Sequence, residues 1–198
     1  MMTHRDSDRP GTVAAFVRSA VATGRLVAIG RLASPRTYLH RTFDCVDGTR
    51  SFVFRETAIR DGDPRDPVVL VVQFRLWALG RSRLLHALFR RECILHTPLF
   101  AGFPGFQSKL WAADPVSGVY RGLYEWDGAE QAVDYANHLG RLLTPLSIQG
   151  SVRYHVIPGC RREDFLRDPA MAPAGRGQGV HDWWRLTEPL DAVPVRLG

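Results

Sequence analysis

Lysine is almost absent from this 198-residue chain: of its 26 basic residues only Lys109 is a lysine, and the rest are arginine. A formal net charge of +6 and a pI near 9.8 invite a nucleic-acid partner. The distribution argues against one. The arginines alternate with Asp and Glu, the densest runs are the pairs Arg90-Arg91 and Arg161-Arg162, and no helix-turn-helix, RRM or zinc-finger spacing occurs. No nucleic-acid partner is expected. Cysteine is scarce too. Cys45, Cys93 and Cys160 are odd in number and far apart, with no CxxC, which suits a reducing, cytoplasmic setting better than a disulfide scaffold. Long apolar runs are missing: Arg18, Arg25 and Arg31 interrupt the apolar residues 13–32, so no stable membrane insertion is expected. The opening MMTHRDSDRP precedes no apolar signal-peptide core. HxH, HExxH, GxGxxG and Walker spacings are also absent, so neither a metal nor a nucleotide cofactor is expected.

What is present suits one domain with decorations. Hydrophobic residues make up 45% of the chain and charged residues 23%, enough for a sizeable core. The Gly/Pro turn at Gly102-Phe103-Pro104-Gly105 releases an apolar strand, Phe106 to Ala112. Asp114 to Gly118 reverses the chain, and Val119 to Trp126 returns as a second strand. Upstream, Thr12 can cap a helix to Thr23 that turns Val13, Phe16, Val17, Ala20 and Val21 to one side, with Gly24 stopping it. Asp47-Gly48 joins the β-rich runs Thr37–Cys45 and Ser51–Ile59. The polar segment 60–67 reads as a boundary. Pro67 to Leu76 is a central strand, Ser82 to Leu95 a helix, and Asp127 with Glu130 a capping-box start to another helix. Ser151 to Ile157 is a last strand, followed by a polar tail holding Trp183-Trp184.

The expected organisation is therefore residues 1–66 as an N-terminal helix-and-hairpin extension, 67–160 as the main domain, and 161–198 as a tail packing on it. The main domain reads β-α-β-β-α-β, a ferredoxin-like α+β core with a four-stranded antiparallel sheet. Two helices cover one face of such a sheet. The other face, apolar in two strands, calls for cover, and a homodimer packed sheet to sheet is the expected solution.

Pro104-Gly105-Phe106, Lys109-Leu110-Trp111, Gly118, Gly122-Leu123-Tyr124 and a helix bearing Ala132 and Tyr135 together resemble the dimeric α+β barrel superfamily, and within it the YdhR-like monooxygenase family. Tyr154 to Gly159 adds to the likeness, which covers roughly residues 67–160. The resemblance implies a small cofactor-independent enzyme, most simply a monooxygenase, acting on a hydrophobic polycyclic or polyketide-like substrate. A ring-forming cyclase and a non-catalytic dimeric binding protein are the alternatives it leaves open.

Strand alternation sorts the candidate site residues. Arg121 and Glu125 share a face, as do Arg153 and His155; Tyr120, Tyr124 and Trp126 take the opposite one. His155 is a candidate general base, with Arg153 or Arg121 holding an oxyanion and Glu125 beside them. His86, on the helix Ser82 to Leu95, can reach the same pocket if its face turns inward. Tyr120, Tyr124, Trp126, Trp111, Phe74, Phe89 and His96 are the candidate substrate-stacking residues. Alternation leaves open which set faces the helices.

Overall fold

The computed structural model describes residues 11–77, 97, 99–172, 176–177 and 182–190. The expected helix Ser82 to Leu95, with His86, Phe89 and His96, lies outside the described residues.

Three helices and eight strands are described. Helix α1 (Thr12–Ala28) is followed by β1 (Leu32–Ala33), β2 (Thr42–Asp44), β3 (Arg50–Ile59), β4 (Pro67–Phe74), β5 (Phe106–Ala113) and β6 (Tyr120–Asp127). Helix α2 (Ala129–Leu143), β7 (Arg153–Pro158), helix α3 (Arg162–Arg167) and β8 (Arg176–Gly177) follow among the described residues. The central strands run β5-β6-β4-β7, every pairing antiparallel. With β4, β5, β6 and β7 as the first to fourth strands of the repeat, that is the ferredoxin-like order. The sheet is wider than the four strands expected. Strand β3, itself paired with β1 and β2, adds to the edge of β5, and β8 adds to the edge of β7, making eight strands in one sheet. The hairpin of the N-terminal segment thus continues the main sheet, because the free backbone groups of β5 pair with it.

Helix α1 departs from expectation in length and rotation. It runs through Gly24, whose cost inside a helix is only about 1 kcal/mol, and ends at Gly30 (φ 70°). There Gly30 N–H bonds Val27 O and Arg31 N–H bonds Leu26 O, a Schellman ending. It buries Ala15, Ser19 and Thr23, while Val13, Val17 and Val21 face outward. The cause is close approach: a Cβ at Gly102 would run into the Ser19 carbonyl, so only the small-residue face of α1 fits against that turn. The expected capping box is also replaced. Gly128 is the N-cap of α2, and the Asp127 carboxylate accepts instead from Asp66 N–H at 2.8 Å.

The sheet separates two cores. On one side α2 packs on β7, β4 and β6, and Leu70, Val72, Trp111, Tyr124 and Trp126 meet Phe100, Tyr135 and Ala136. On the other, Val69, Val71, Leu110, Leu123 and Ile157 lie under Phe165 and Leu166 of α3, under Trp183, Trp184, Leu186 and Leu190, and under Tyr38, Phe43 and Cys45. The expectation of a sheet-to-sheet homodimer rested on this second face being bare. Its centre is covered by the chain's own segments, residues 38–45 before the central strands and described residues within 165–190 after them. The cover is stitched down: Val46 N–H bonds Arg185 O, Thr187 N–H bonds Asp44 O and Leu190 N–H bonds Leu166 O.

Candidate functional site

The alternation of β6 decides which candidate residues meet. Tyr120, Tyr124 and Trp126 point to the helix side; Arg121 and Glu125 point to the tail side with Arg153 and His155. The aromatic set and the polar set therefore lie on opposite faces of one sheet, and no single pocket holds both.

On the helix side the aromatics form a continuous floor. Phe74 stacks on Tyr120 (5.7 Å between centroids, 16°) at one end. Trp126, fully buried, lies 4.9 Å from Tyr135 and 5.7 Å from Phe106 at the other. Trp111 sits between, 5.2 Å from Phe100, its indole N–H directed to Thr57 Oγ1 at 3.3 Å. Into this floor β5 projects Lys109, whose ammonium nitrogen is 3.1 Å from the centre of the Trp111 ring, 4.5 Å from Phe100 and 4.6 Å from Tyr124. Cation–π attraction at a desolvated site amounts to ~2 kcal/mol, and the electron-rich indole is the best such ring. Beside it the Tyr124 and Tyr135 hydroxyls pair at 3.1 Å. Burial pushes the Tyr135 phenol well above its ordinary range, and the neighbouring Tyr124 adds to the rise, so Tyr135 keeps its proton. An ammonium and a proton-bearing phenol pair within an aromatic wall can together hold a developing oxyanion. The sequence reading did not select Lys109 as a site residue. Its signal was compositional: the one lysine of an arginine-rich chain stands in the middle of an apolar strand.

On the tail side the polar residues form a brace. Arg121, almost wholly buried, donates through Nη2 to Asp47 Oδ2 (2.7 Å), Gln73 Oε1 (2.6 Å) and, at 3.4 Å, the Trp183 carbonyl. Its Nη1 donates to the hydroxyls of Ser51 and Thr49. Arg153 lies 3.7 Å from the same Asp47 oxygen and over the Trp183 ring. Burial pushes Asp47 upward, but the Thr49 hydroxyl and the Arg121 guanidinium outweigh it, and its carboxyl ends below the ordinary value. His155 stacks flat on Trp184 (4.2 Å, 8°), and burial lowers its pKa. Glu125 accepts from Arg162 N–H (3.2 Å) and Ser108 (3.4 Å), away from His155. Arg121 and Arg153 thus converge on one carboxylate, His155 belongs to the tail's aromatic packing, and Glu125 belongs to a separate cluster with Arg162. Among the described residues, no three His, Cys, Asp or Glu side chains converge as a metal-ligand set, and no helix is long and apolar enough to cross a membrane.

No family model matches the chain, and no curated protein does. Among solved structures it is similar to an uncharacterised ferredoxin-fold protein related to antibiotic biosynthesis monooxygenases from Listeria monocytogenes, at 16% identity and a TM-score of 0.38. It is also similar to a monooxygenase-like protein from Listeria innocua, at 15% identity and the same TM-score. Each match covers 55% of this chain and 63% of the other, so the chain spans less than two thirds of their length. The α+β ferredoxin-like architecture stands on the strand order itself. Likeness at that level carries no argument about chemistry.

Proposed function

We propose that this chain is a small enzyme, using neither metal nor nucleotide, that oxygenates a hydrophobic, electron-rich polycyclic or polyketide-like molecule on the helix face of its sheet. The observation that carries the reading is the Lys109 ammonium set against the Trp111, Phe100 and Tyr124 rings beside the Tyr124–Tyr135 hydroxyl pair. The YdhR-like resemblance of residues 67–160 supports it. A flat substrate stacks on the aromatic floor, and the anionic oxygen of its enolate or phenolate form rests against Lys109. The Lys109 charge favours that ionised form, whose carbon skeleton is electron-rich enough to reduce dioxygen directly. For a ring methylene the overall change is CH2 plus O2 giving C=O plus H2O: two C–H bonds are lost, one oxygen atom enters the product, and the other leaves as water. Lysine fits this role as a compact point charge with three rotatable donors.

Oxygen uptake with a panel of anthrones and polycyclic phenols tests the reading. Lys109→Met is expected to lower kcat/KM by about 100-fold, the scale of losing one oxyanion-stabilising group, with the near-UV circular dichroism unchanged. Wild-type rates in Lys109→Met would sink it. Isomerised product with no oxygen consumed would point to a cyclase, and saturable binding without turnover to a binding protein.

A further inference from the structure

Helix α1 wears its apolar face outward. The positions it buries are the small or polar Ala15, Ser19 and Thr23, while Val13, Val17, Val21 and Val27 are each more than half exposed, as is Ile29 at the C-cap. At 3.6 residues per turn, the four valines and the exposed Ala20 and Gly24 fall within one arc of about 120°. Arg18 and Arg25 stand just past one edge of that arc, and Arg31 follows the Schellman ending. The helix carries no Asp or Glu. At its end Arg25 and Arg31 share a groove with Asp61 and Asp63, and Asp63 is already paired with Arg161 at 2.6 Å.

Valine on an open helix face is unfavourable in two ways. It is a weaker helix former than alanine, and its methyl groups gain nothing while they stay in water. A continuous exposed strip of such residues marks an interaction surface. Charge and shape select what covers it. A second copy of α1 would set arginine near arginine, with no carboxylate on either helix to offset them. Protein partners are held chiefly at aromatic or arginine anchors seated in pockets, whereas this arc carries no aromatic ring and is smooth: a Cβ added at Gly24 would meet nothing within 4 Å. A smooth aliphatic strip edged by arginine suits the headgroup boundary of an anionic bilayer. The valines enter the edge of the acyl region, and the guanidinium groups reach the lipid phosphates.

We propose that α1 is a membrane-surface helix, which lays its valine face on anionic lipid and holds the protein there reversibly. The helix lies in the plane of the interface and does not cross it. The proposal is independent of the Lys109 reading.

The test is flotation of the full chain with vesicles of phosphatidylcholine alone and of equal parts phosphatidylcholine and phosphatidylglycerol. The wild type is expected to partition onto the anionic vesicles at least about ten-fold better, the scale of two or three arginines at a negative surface, and to lose that preference in high salt. Val17→Gln/Val21→Gln, at outward positions where glutamine suits a helix, should lower binding to the anionic vesicles by ten-fold or more. Arg18→Gln/Arg25→Gln, which keeps every valine, should bring anionic and neutral vesicles level. Val116→Gln removes a more exposed valine from the β5–β6 turn and should leave binding unchanged. The proposal is overturned if the wild type stays off the anionic vesicles, if the valine double variant floats as the wild type does, or if Val116→Gln matches its loss. A lipid-free dimer that Val17→Gln/Val21→Gln dissolves would also overturn it, assigning the face to a second copy.

Discussion

Arg121 reaches Asp47, 74 positions away in sequence, with a 2.7 Å charge-assisted hydrogen bond at the centre of the covered sheet face. That contact fastens the turn between β2 and β3 to β6, and through Gln73 and the Trp183 carbonyl it fastens β4 and the tail as well. Both partners are shielded, with side-chain exposures of 1% and 17%. Removing one member of such a pair leaves an uncompensated charge. Arg121→Met is expected to destabilise the fold by about 3–5 kcal/mol, read as a shift in the urea midpoint. A change under 1 kcal/mol would show that the brace carries little.

The same pair sets an acid limb. Asp47 titrates lower in the folded chain than in the unfolded one, so its contribution is complete above the unfolded carboxylate range near pH 4 and drains away as pH falls through the lower folded value. Unfolding midpoints measured between pH 5 and pH 2 should fall less steeply in Asp47→Asn than in the wild type. Parallel curves would refute this.

His155 adds a second pH dependence of the same sign by another route. Burial against Trp184 lowers its folded pKa, so below about pH 6.5 the unfolded chain takes up a proton that the folded chain resists. Stability therefore declines as pH drops from that value toward the folded pKa, then levels. His155→Phe, which keeps the stack, should flatten that window in thermal melts at pH 7 and pH 5.

Oligomeric state follows from the covered face. With Phe165, Leu166, Trp183, Trp184 and Leu186 over the sheet, the full chain is expected to run as a monomer in light scattering at micromolar concentration. A chain ending at residue 160 exposes Val69, Val71, Leu123 and Ile157 and should self-associate or precipitate. A stable dimer of the full chain would show that another surface pairs.

Close packing makes a fourth site sensitive. Gly102→Ala forces a methyl group toward the Ser19 carbonyl, so α1 must shift. Hydrogen exchange over residues 12–28 should accelerate at least ten-fold, with the β4–β6 amides unchanged.

The strands were legible because β4 is a near-continuous apolar run, β5 and β6 flank the Asp114-to-Gly118 turn, and Asp47-Gly48 marks the β2–β3 hairpin. Alternation grouped Arg121 with Glu125 and Tyr124 with Trp126. It did not say which group meets the helices, because a period of two is unchanged when the strand is turned over. That choice is made by distant segments: Tyr135 on one side, Trp183 and Trp184 on the other. Helix α1 misleads for a related reason. Its valines have the apolar periodicity, yet backbone approach at Gly102 selects Ala15, Ser19 and Thr23 for the inside. Lys109 was visible in composition and invisible to periodicity, since a buried charge in an apolar strand matches no amphipathic pattern.

Covering a sheet with one's own tail also changes how the molecule can diversify. Across a two-fold interface every substitution appears twice and must suit its own mirror position. Here Trp184 faces His155 once, and Arg185 closes on Val46 once. Each residue of the covering segment can change to suit a single neighbour, free of the self-complementarity that symmetry demands.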